Sequence, residues 1–178
     1  MLKMFSTQLS GLFKRLQEKE EFSIEDGARL LAQAAAGEGI IYLYGAGEMG
    51  AIPLEAIHGV EPLKGATLLQ LEQASEVTSA DRVLIVTRHS NDREAVELAQ
   101  KLSNSGHSFV GVSTAVPNEG GSPGLDTLAD VHIDLKITKG MLPDDFGNRF
   151  GQPTSMAALF IYYGLKFTID EIMAEYED

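Results

Sequence analysis

Short apolar segments alternate with longer amphipathic segments along this chain, and this alternation constrains its fold more than any other feature. The run Ile40-Ile41-Tyr42-Leu43-Tyr44 is typical of a strand buried on both faces, and Val83-Leu84-Ile85-Val86-Thr87 is a stronger example. Further strands are predicted over residues 67–71, 108–112 and 131–137, the last at a sheet edge because apolar and polar residues alternate there. Strands that alternate with helices form β-α-β units. We therefore expect an α/β fold, a three-layer α/β/α sandwich with about five parallel strands.

Helical periodicity and turn residues predict the remaining elements. Residues 1–20 place apolar side chains three and four residues apart, which indicates an amphipathic helix. Ser23 is predicted to cap a second helix that ends at Gly37, since Asp26 completes a capping-box pattern. Further helices are predicted over 51–58, from Ser90 or Asn91 to about 104, and over 154–176. Loop or irregular structure is predicted over 114–124 and 138–153.

Length and the lack of a linker or repeat indicate a single domain. We expect it to span residues 1–178, with an N-terminal helix over 1–22 and an α/β core with a C-terminal helix over 23–178. The 14 Lys and Arg residues are outnumbered by 26 Asp and Glu residues, giving a net charge of −12. This balance disfavours nucleic acids and anionic membrane surfaces as partners.

The absence of cysteine excludes disulfides, thiolate metal sites and cysteine nucleophiles. Apolar residues near the N-terminus are spaced as in a helix and form no signal-peptide block, and the longest apolar run, 156–165, is too short to span a membrane. The expectation is a soluble, cytoplasmic protein.

A glycine-rich segment, Gly45-x-Gly47-x-x-Gly50, follows the first predicted strand directly. Glycines at this spacing permit a tight turn and a close approach of ligand to backbone, and the next helix offers free N–H groups to an anion. A plain strand-to-helix turn is one interpretation. A dinucleotide site is another, with Glu72 as the ribose-binding acid, although the carboxylate of Glu48 would repel a pyrophosphate.

The segment Thr87-Arg88-His89-Ser90-Asn91-Asp92-Arg93 joins the strongest predicted strand to the following helix. A guanidinium group can donate two parallel hydrogen bonds to phosphate, and hydroxyl groups can donate to the same oxygens. Asn91 and Asp92 are equally suited to capping the helix. An exposed turn without a ligand is the alternative for the whole segment.

The two loops together resemble the layout of the sugar isomerase (SIS) domain family. Residues 84–92, Leu-Ile-Val-Thr-x-His-Ser-x-Asp, are similar to the family's apolar strand and its Ser-x-Ser-Gly-x-Thr loop. Residues 95–112, 125–131 and Pro153-Thr154-Ser155 resemble the helix and returning strand, the short turn, and the start of the last helix. The similarity extends over about residues 25–175, and the nearest enzymes are the compact phosphoheptose isomerases.

The resemblance implies that the ligand is a small phosphorylated sugar or sugar derivative. This sequence departs from the family pattern at three positions, because His89, Ser90 and Asp92 stand where the family has a hydroxyl residue, glycine and threonine. Asp92 would repel phosphate unless Arg88 or Arg93 offsets its charge. The predicted ligand-binding residues are Gly45, Gly47, Glu48, Met49, Thr87, Arg88, His89, Ser90, Asn91 and Asp92.

Catalysis of aldose–ketose isomerisation needs a base that carries a proton between adjacent carbons. Glu55 and His58 lie three residues apart on one helical face and are the predicted catalytic residues, with Glu48 and His89 as alternatives. The phosphoheptose isomerases also use a histidine from the C-terminal helix, whereas no histidine follows His132 here.

Two function classes therefore remain open: a phosphosugar isomerase, and a non-catalytic sugar-phosphate sensor. A dinucleotide-binding domain is a third, weaker hypothesis. No cofactor or metal is expected, since the four histidines are scattered along the chain. The predicted last helix is apolar almost all round at its start, so we expect a homo-oligomer formed through this helix.

Overall fold

Five parallel strands form the central sheet of the computed structural model, which describes residues 1–117 and 119–177. The strands are β1 (Ile41–Gly45), β2 (Ala66–Leu68), β3 (Arg82–His89), β4 (Phe109–Thr114) and β5 (Val131–Asp134). Their order is β2-β1-β3-β4-β5, and every neighbouring pair is parallel. The predicted α/β class and five-stranded sheet are thereby confirmed.

Helices cover both faces of this sheet. The helices α1 (Leu2–Ala36), α2 (Ala51–His58) and α5 (Thr154–Glu177) pack on one face, and α3 (Arg93–Asn104) and α4 (Leu125–Leu128) pack on the other. Each face buries its own apolar cluster, as the three-layer prediction requires. The prediction of a single domain over 1–178 is not tested by the fold, and Asn118 and Asp178 lie outside the described residues.

The predicted break in the N-terminal helix at Ser23 is wrong. Helix α1 runs without interruption through 35 residues, so Ser23 and Asp26 lie within it and cap nothing. The buried positions Leu12, Leu16 and Leu31 continue one stripe along the helix, and α5 packs against it. This packing outweighs the local preference of serine for a helix start.

Two predicted strands are longer than the observed ones. Strand β2 ends at Leu68 instead of residue 71, because a 3₁₀ helix over Leu71–Glu76 begins soon after it. Strand β5 ends at Asp134 instead of residue 137, and Lys136 has a left-handed backbone with φ 54°, which a strand cannot accommodate.

Two further details differ from the sequence interpretation. The helix start predicted at Ser90 or Asn91 is too early, because α3 is capped by Asp92, the other capping candidate, whose carboxylate accepts a hydrogen bond from the Ala95 amide at 3.3 Å. The segment 138–153 is not wholly irregular, since β6 (Leu142–Pro143) and β7 (Arg149–Phe150) form a short antiparallel pair. Within the described part of the chain, no helix has both the length and the apolar character needed to span a bilayer.

The strand order places a crevice at a defined position. From β1 the chain moves outward to β2 and then returns to β3 on the other side of β1. At the carboxyl edge of an open parallel sheet, the chain leaves two such neighbouring strands, here β1 and β3, toward opposite sides of the sheet. This divergence opens a crevice in which ligands bind. The two segments singled out in the sequence lie at the ends of β1 and β3, so they flank this crevice, although Thr87, Arg88 and His89 are the last residues of β3 and not part of a loop.

Candidate functional site

The three glycines of the β1 loop have three different local environments. A Cβ on Gly45 would lie 2.6 Å from the carbonyl carbon of Met49 and closer still to its oxygen. Gly47 has φ 56°, a left-handed conformation that glycine adopts without strain. A Cβ on Gly50 would meet nothing nearer than 4.0 Å. The tight turn therefore depends on Gly45 and Gly47, and not on Gly50.

The loop after β1 is fixed to the end of β3. The Ala46 amide donates to the Val86 carbonyl at 2.9 Å, and the Met49 amide donates to the Ala46 carbonyl at 3.0 Å. The Met49 side chain is fully buried in the core beneath the 3₁₀ turn Gly47–Gly50. Of the predicted ligand residues in this loop, Gly47 and Glu48 are thus the ones exposed to solvent.

The hydroxyl groups of the β3 loop face inward. Thr87 and Ser90 are both fully buried. Ser90 Oγ accepts from the Val116 amide at 3.1 Å, and the Ser90 carbonyl accepts from the Leu125 amide at 2.7 Å, so this residue ties the β3 loop to the chain after β4. Among the described residues, Thr87 Oγ1 has no hydrogen-bond partner. Arg88, His89, Asn91 and Arg93 are the exposed members of the segment.

An ion pair joins the two loops across the crevice. Arg88 Nε donates to Glu48 Oε1 at 2.7 Å, and both side chains are about half exposed. The hydrogen bond from Arg88 lowers the pKa of Glu48 below its usual value. Glu48, whose carboxylate would repel a phosphate, is therefore paired with Arg88, the arginine that was predicted to bind the phosphate. Together the pair presents both donors and acceptors to solvent.

A cavity of about 480 Å³ lies between the β1 loop and the start of α3. Three of its lining residues are acids, Asp92, Glu94 and Glu97, against one base, Arg93. Tyr44 Oη donates to Glu94 Oε2 at 3.2 Å. The pKa of Tyr44 is raised to about 12, mainly because the phenol is partly buried and in addition because of this hydrogen bond. The negative charges of these acids outweigh the positive end of the α3 dipole, so this cavity is unfavourable for a phosphate dianion.

The predicted catalytic pair lies on α2, which leads away from the crevice. Glu55 Oε1 accepts a hydrogen bond from Tyr163 Oη of α5 at 2.7 Å, which raises the pKa of Tyr163. His58 is the exposed last residue of α2, about 10 Å along the helix axis from its first residue. The structure thus groups Glu55 with Tyr163 and leaves Glu48, one of the alternatives, beside the crevice.

Sequence reasoning did not identify Glu94 and Tyr163 as neighbours of the predicted site residues. Neither belongs to a motif. Glu94 meets Tyr44, and Tyr163 meets Glu55, only because elements distant in the sequence pack together. Glu72, the acid of the dinucleotide hypothesis, is exposed in the first turn of the 3₁₀ helix that follows β2. Among the described residues, no group of three or more His, Asp and Glu side chains could hold a metal ion.

Solved structures with the same architecture define the class of fold. A candidate sugar-phosphate isomerase from Listeria monocytogenes superposes with a TM-score of 0.68 at 18% identity, covering 98% of this chain and 87% of that one. The NanR protein of Vibrio vulnificus, solved with ManNAc-6P, gives a TM-score of 0.70 at 15% identity over 99% of this chain and 64% of that one. The fold is the SIS-type α/β/α sandwich.

The family is shown by sequence. The chain belongs to the DUF2529 family, described as a domain of unknown function, whose model matches residues 1–173. Uncharacterized protein YwjG of Bacillus subtilis (strain 168) is 45% identical over 176 residues, which cover 99% of each chain.

Proposed function

We propose that this protein binds a phosphorylated sugar at the crevice between β1 and β3, and that it acts by binding. The observation that carries the proposal is the Glu48–Arg88 ion pair, which joins both predicted ligand loops at the point where the strand order reverses. A paired carboxylate and guanidinium offer acceptors and donors to sugar hydroxyl groups. The likeness of the fold to proteins such as NanR, solved with ManNAc-6P, supports the sugar-phosphate class.

A binding role fits the surroundings of the predicted bases better than catalysis does. Both bases lie on α2, which leads away from the crevice, and His58 is the last residue of that helix. The second candidate function is a phosphosugar isomerase similar to phosphoheptose isomerase, with Glu55 as the base. It is favoured by the 2.7 Å hydrogen bond, because a tyrosine that holds a carboxylate in place can also orient it.

Sugar phosphates are expected to raise the melting temperature of the protein, because a ligand that binds only the folded state stabilises it. The screen would compare ManNAc-6P and other hexose and pentose phosphates with the unphosphorylated sugars and with NAD(P)H. A shift with NAD(P)H and none with any sugar phosphate would overturn the proposal in favour of the dinucleotide hypothesis. For each sugar that binds, NMR would then detect interconversion. Interconversion of a sugar by the wild-type protein that is lost in Glu55→Gln would establish the isomerase function with Glu55 as its base.

A homo-oligomer formed through α5 remains part of the proposal. A groove of about 700 Å³ runs between α1 and α5, and Phe167 at its wall is 55% exposed. Glu21, Glu171 and Glu175 also line the groove, whereas residues 1–14 of the same chain hold two bases, Lys3 and Lys14, and no acid. This complementarity favours a second copy as the occupant, seated through its N-terminal segment.

Light scattering at micromolar concentration is expected to give at least twice the mass of one chain. Phe167→Glu should reduce the mass to that of the monomer, since it adds a charge to an apolar surface that already carries acids. Lys101→Glu, on the opposite face of the sheet, is the matched control and should leave the oligomer intact. A monomeric wild-type protein would contradict this part of the proposal.

A further inference from the structure

A second, smaller cavity lies at the same edge of the sheet, beyond the end of β5. It has a volume of about 130 Å³ and is formed by α1, by the segment that follows β5, and by β7. Four of its lining residues are basic: Arg15, Lys136, Lys139 and Arg149. Within the described part of the chain, no Asp or Glu lines it. In a protein with a net charge of −12, four bases around one small cavity are a marked local reversal of charge.

Most of this positive charge is not neutralised by carboxylates. Arg149 donates from Nε to the Gly140 carbonyl at 3.0 Å and from Nη2 to the Met141 carbonyl at 2.8 Å, contacts that orient the guanidinium and leave its charge. In the described structure, Arg15 and Lys139 take part in no ion pair. A cluster of unpaired cations is electrostatically unfavourable unless an anion joins it.

Lys136 is held in place by the residues beneath it. Its Nζ lies 2.9 Å from Oε1 of the buried Glu20 and 3.5 Å from Asp134 Oδ2, and Glu20 Oε2 also accepts from the Asp134 amide at 3.2 Å. Its left-handed backbone, φ 54°, is uncommon outside glycine. Pro153, which also lines the cavity, directly precedes the 24-residue helix α5, whose first turn carries the positive end of the helix dipole.

We propose that this basic pocket binds the phosphoryl group of the sugar phosphate. The inference rests on the proposed function and adds to it the position of the anionic group. A volume of 130 Å³ corresponds to about four water molecules, which suits a phosphoryl group but not a whole sugar. The cavity beside α3 is acidic by contrast. The end of β5 lies two strands, about 10 Å, from the end of β3, so the pocket and the crevice are neighbours along the same edge of the sheet.

The test compares two double variants that remove the same charge. Arg15→Ala/Lys139→Ala removes two pocket cations, and Lys19→Ala/Lys101→Ala removes two exposed cations that do not line the pocket. Isothermal titration with inorganic phosphate and with ManNAc-6P would measure binding, after melting curves establish that both variants fold. The pocket variant is expected to lose at least ten-fold in affinity for both probes, and the control less than two-fold.

The outcomes separate this inference from the proposed function. Equal affinities in the two double variants, or no binding of phosphate by the wild type, would overturn the phosphoryl pocket. If ManNAc-6P binds and depends on Arg88 but not on Arg15 and Lys139, the sugar-phosphate function stands and the pocket is wrong. If phosphate binding needs Arg15 and Lys139 while no sugar phosphate binds more tightly than phosphate itself, the pocket stands as an anion site and the proposed function fails.

Discussion

Replacing Gly45 with alanine is expected to destabilise the protein by about 2–4 kcal/mol, within the range seen when a side chain is forced into a packed site. The added Cβ would lie 2.6 Å from the Met49 carbonyl carbon, which is backbone and cannot rotate away. To relieve the overlap, the 3₁₀ turn must shift from β1 and strain the amide of Ala46 that donates to Val86. Urea denaturation measured by circular dichroism would give the change in unfolding free energy.

Gly50→Ala is the matched control for this substitution. It adds the same atom in the same loop, but the nearest atom would be 4.0 Å away, and alanine favours the helical backbone that Gly50 already has. Its unfolding free energy should stay within about 0.5 kcal/mol of the wild type. If Gly50→Ala destabilised the protein as much as Gly45→Ala, the close approach at Gly45 would not be the cause.

Arg88→Ala is expected to weaken binding of a sugar phosphate by about 10- to 100-fold, which corresponds to the loss of one charged hydrogen-bond donor together with the unpairing of its neighbour. Removing the guanidinium leaves the Glu48 carboxylate without its partner in the crevice, where it would repel an anionic ligand. The effect on stability should stay below about 1 kcal/mol, because the ion pair is half exposed and screened by water.

Glu48→Gln in the Arg88→Ala background distinguishes these two contributions. If repulsion by the unpaired carboxylate matters, the double variant should regain about half of the lost binding free energy, measured by the same titration. Lys101→Ala, which also breaks an exposed ion pair, should leave binding unchanged. Wild-type affinity in Arg88→Ala would remove the β3 loop from the site.

Local pattern was sufficient for the two central strands, β1 and β3. Residues 40–44 and 83–87 are short, mainly apolar runs of the length of a strand, and the observed strands Ile41–Gly45 and Arg82–His89 lie within one or two residues of these predicted bounds. The helix break at Ser23 was wrong because capping preferences are worth about 1 kcal/mol, less than the burial of a continuous apolar stripe against α5.

The two predicted ligand loops lie beside the same crevice, but several of their side chains do not face it. Met49 and Thr87 are buried, Ser90 joins the loop to the chain after β4, and Asp92 caps α3. Sequence could identify which residue types stand after each strand. It could not show whether a side chain points toward solvent or into the core, because the turn geometry that decides this is set by contacts with other segments.

The sequence by itself determined the class of fold, the order of the five sheet strands along the chain, and the glycine turn after β1, since each depends on periodicity or turn chemistry within a few residues. Only the tertiary structure decided which charges meet. Glu48 and Arg88 are 40 residues apart and pair because β1 and β3 are adjacent strands. Arg15 lies more than a hundred residues from Lys139 and Arg149, and they surround one cavity because α1 packs across the sheet edge beside β5. Electrostatic interaction depends on distance through space, and the folded chain alone sets that distance.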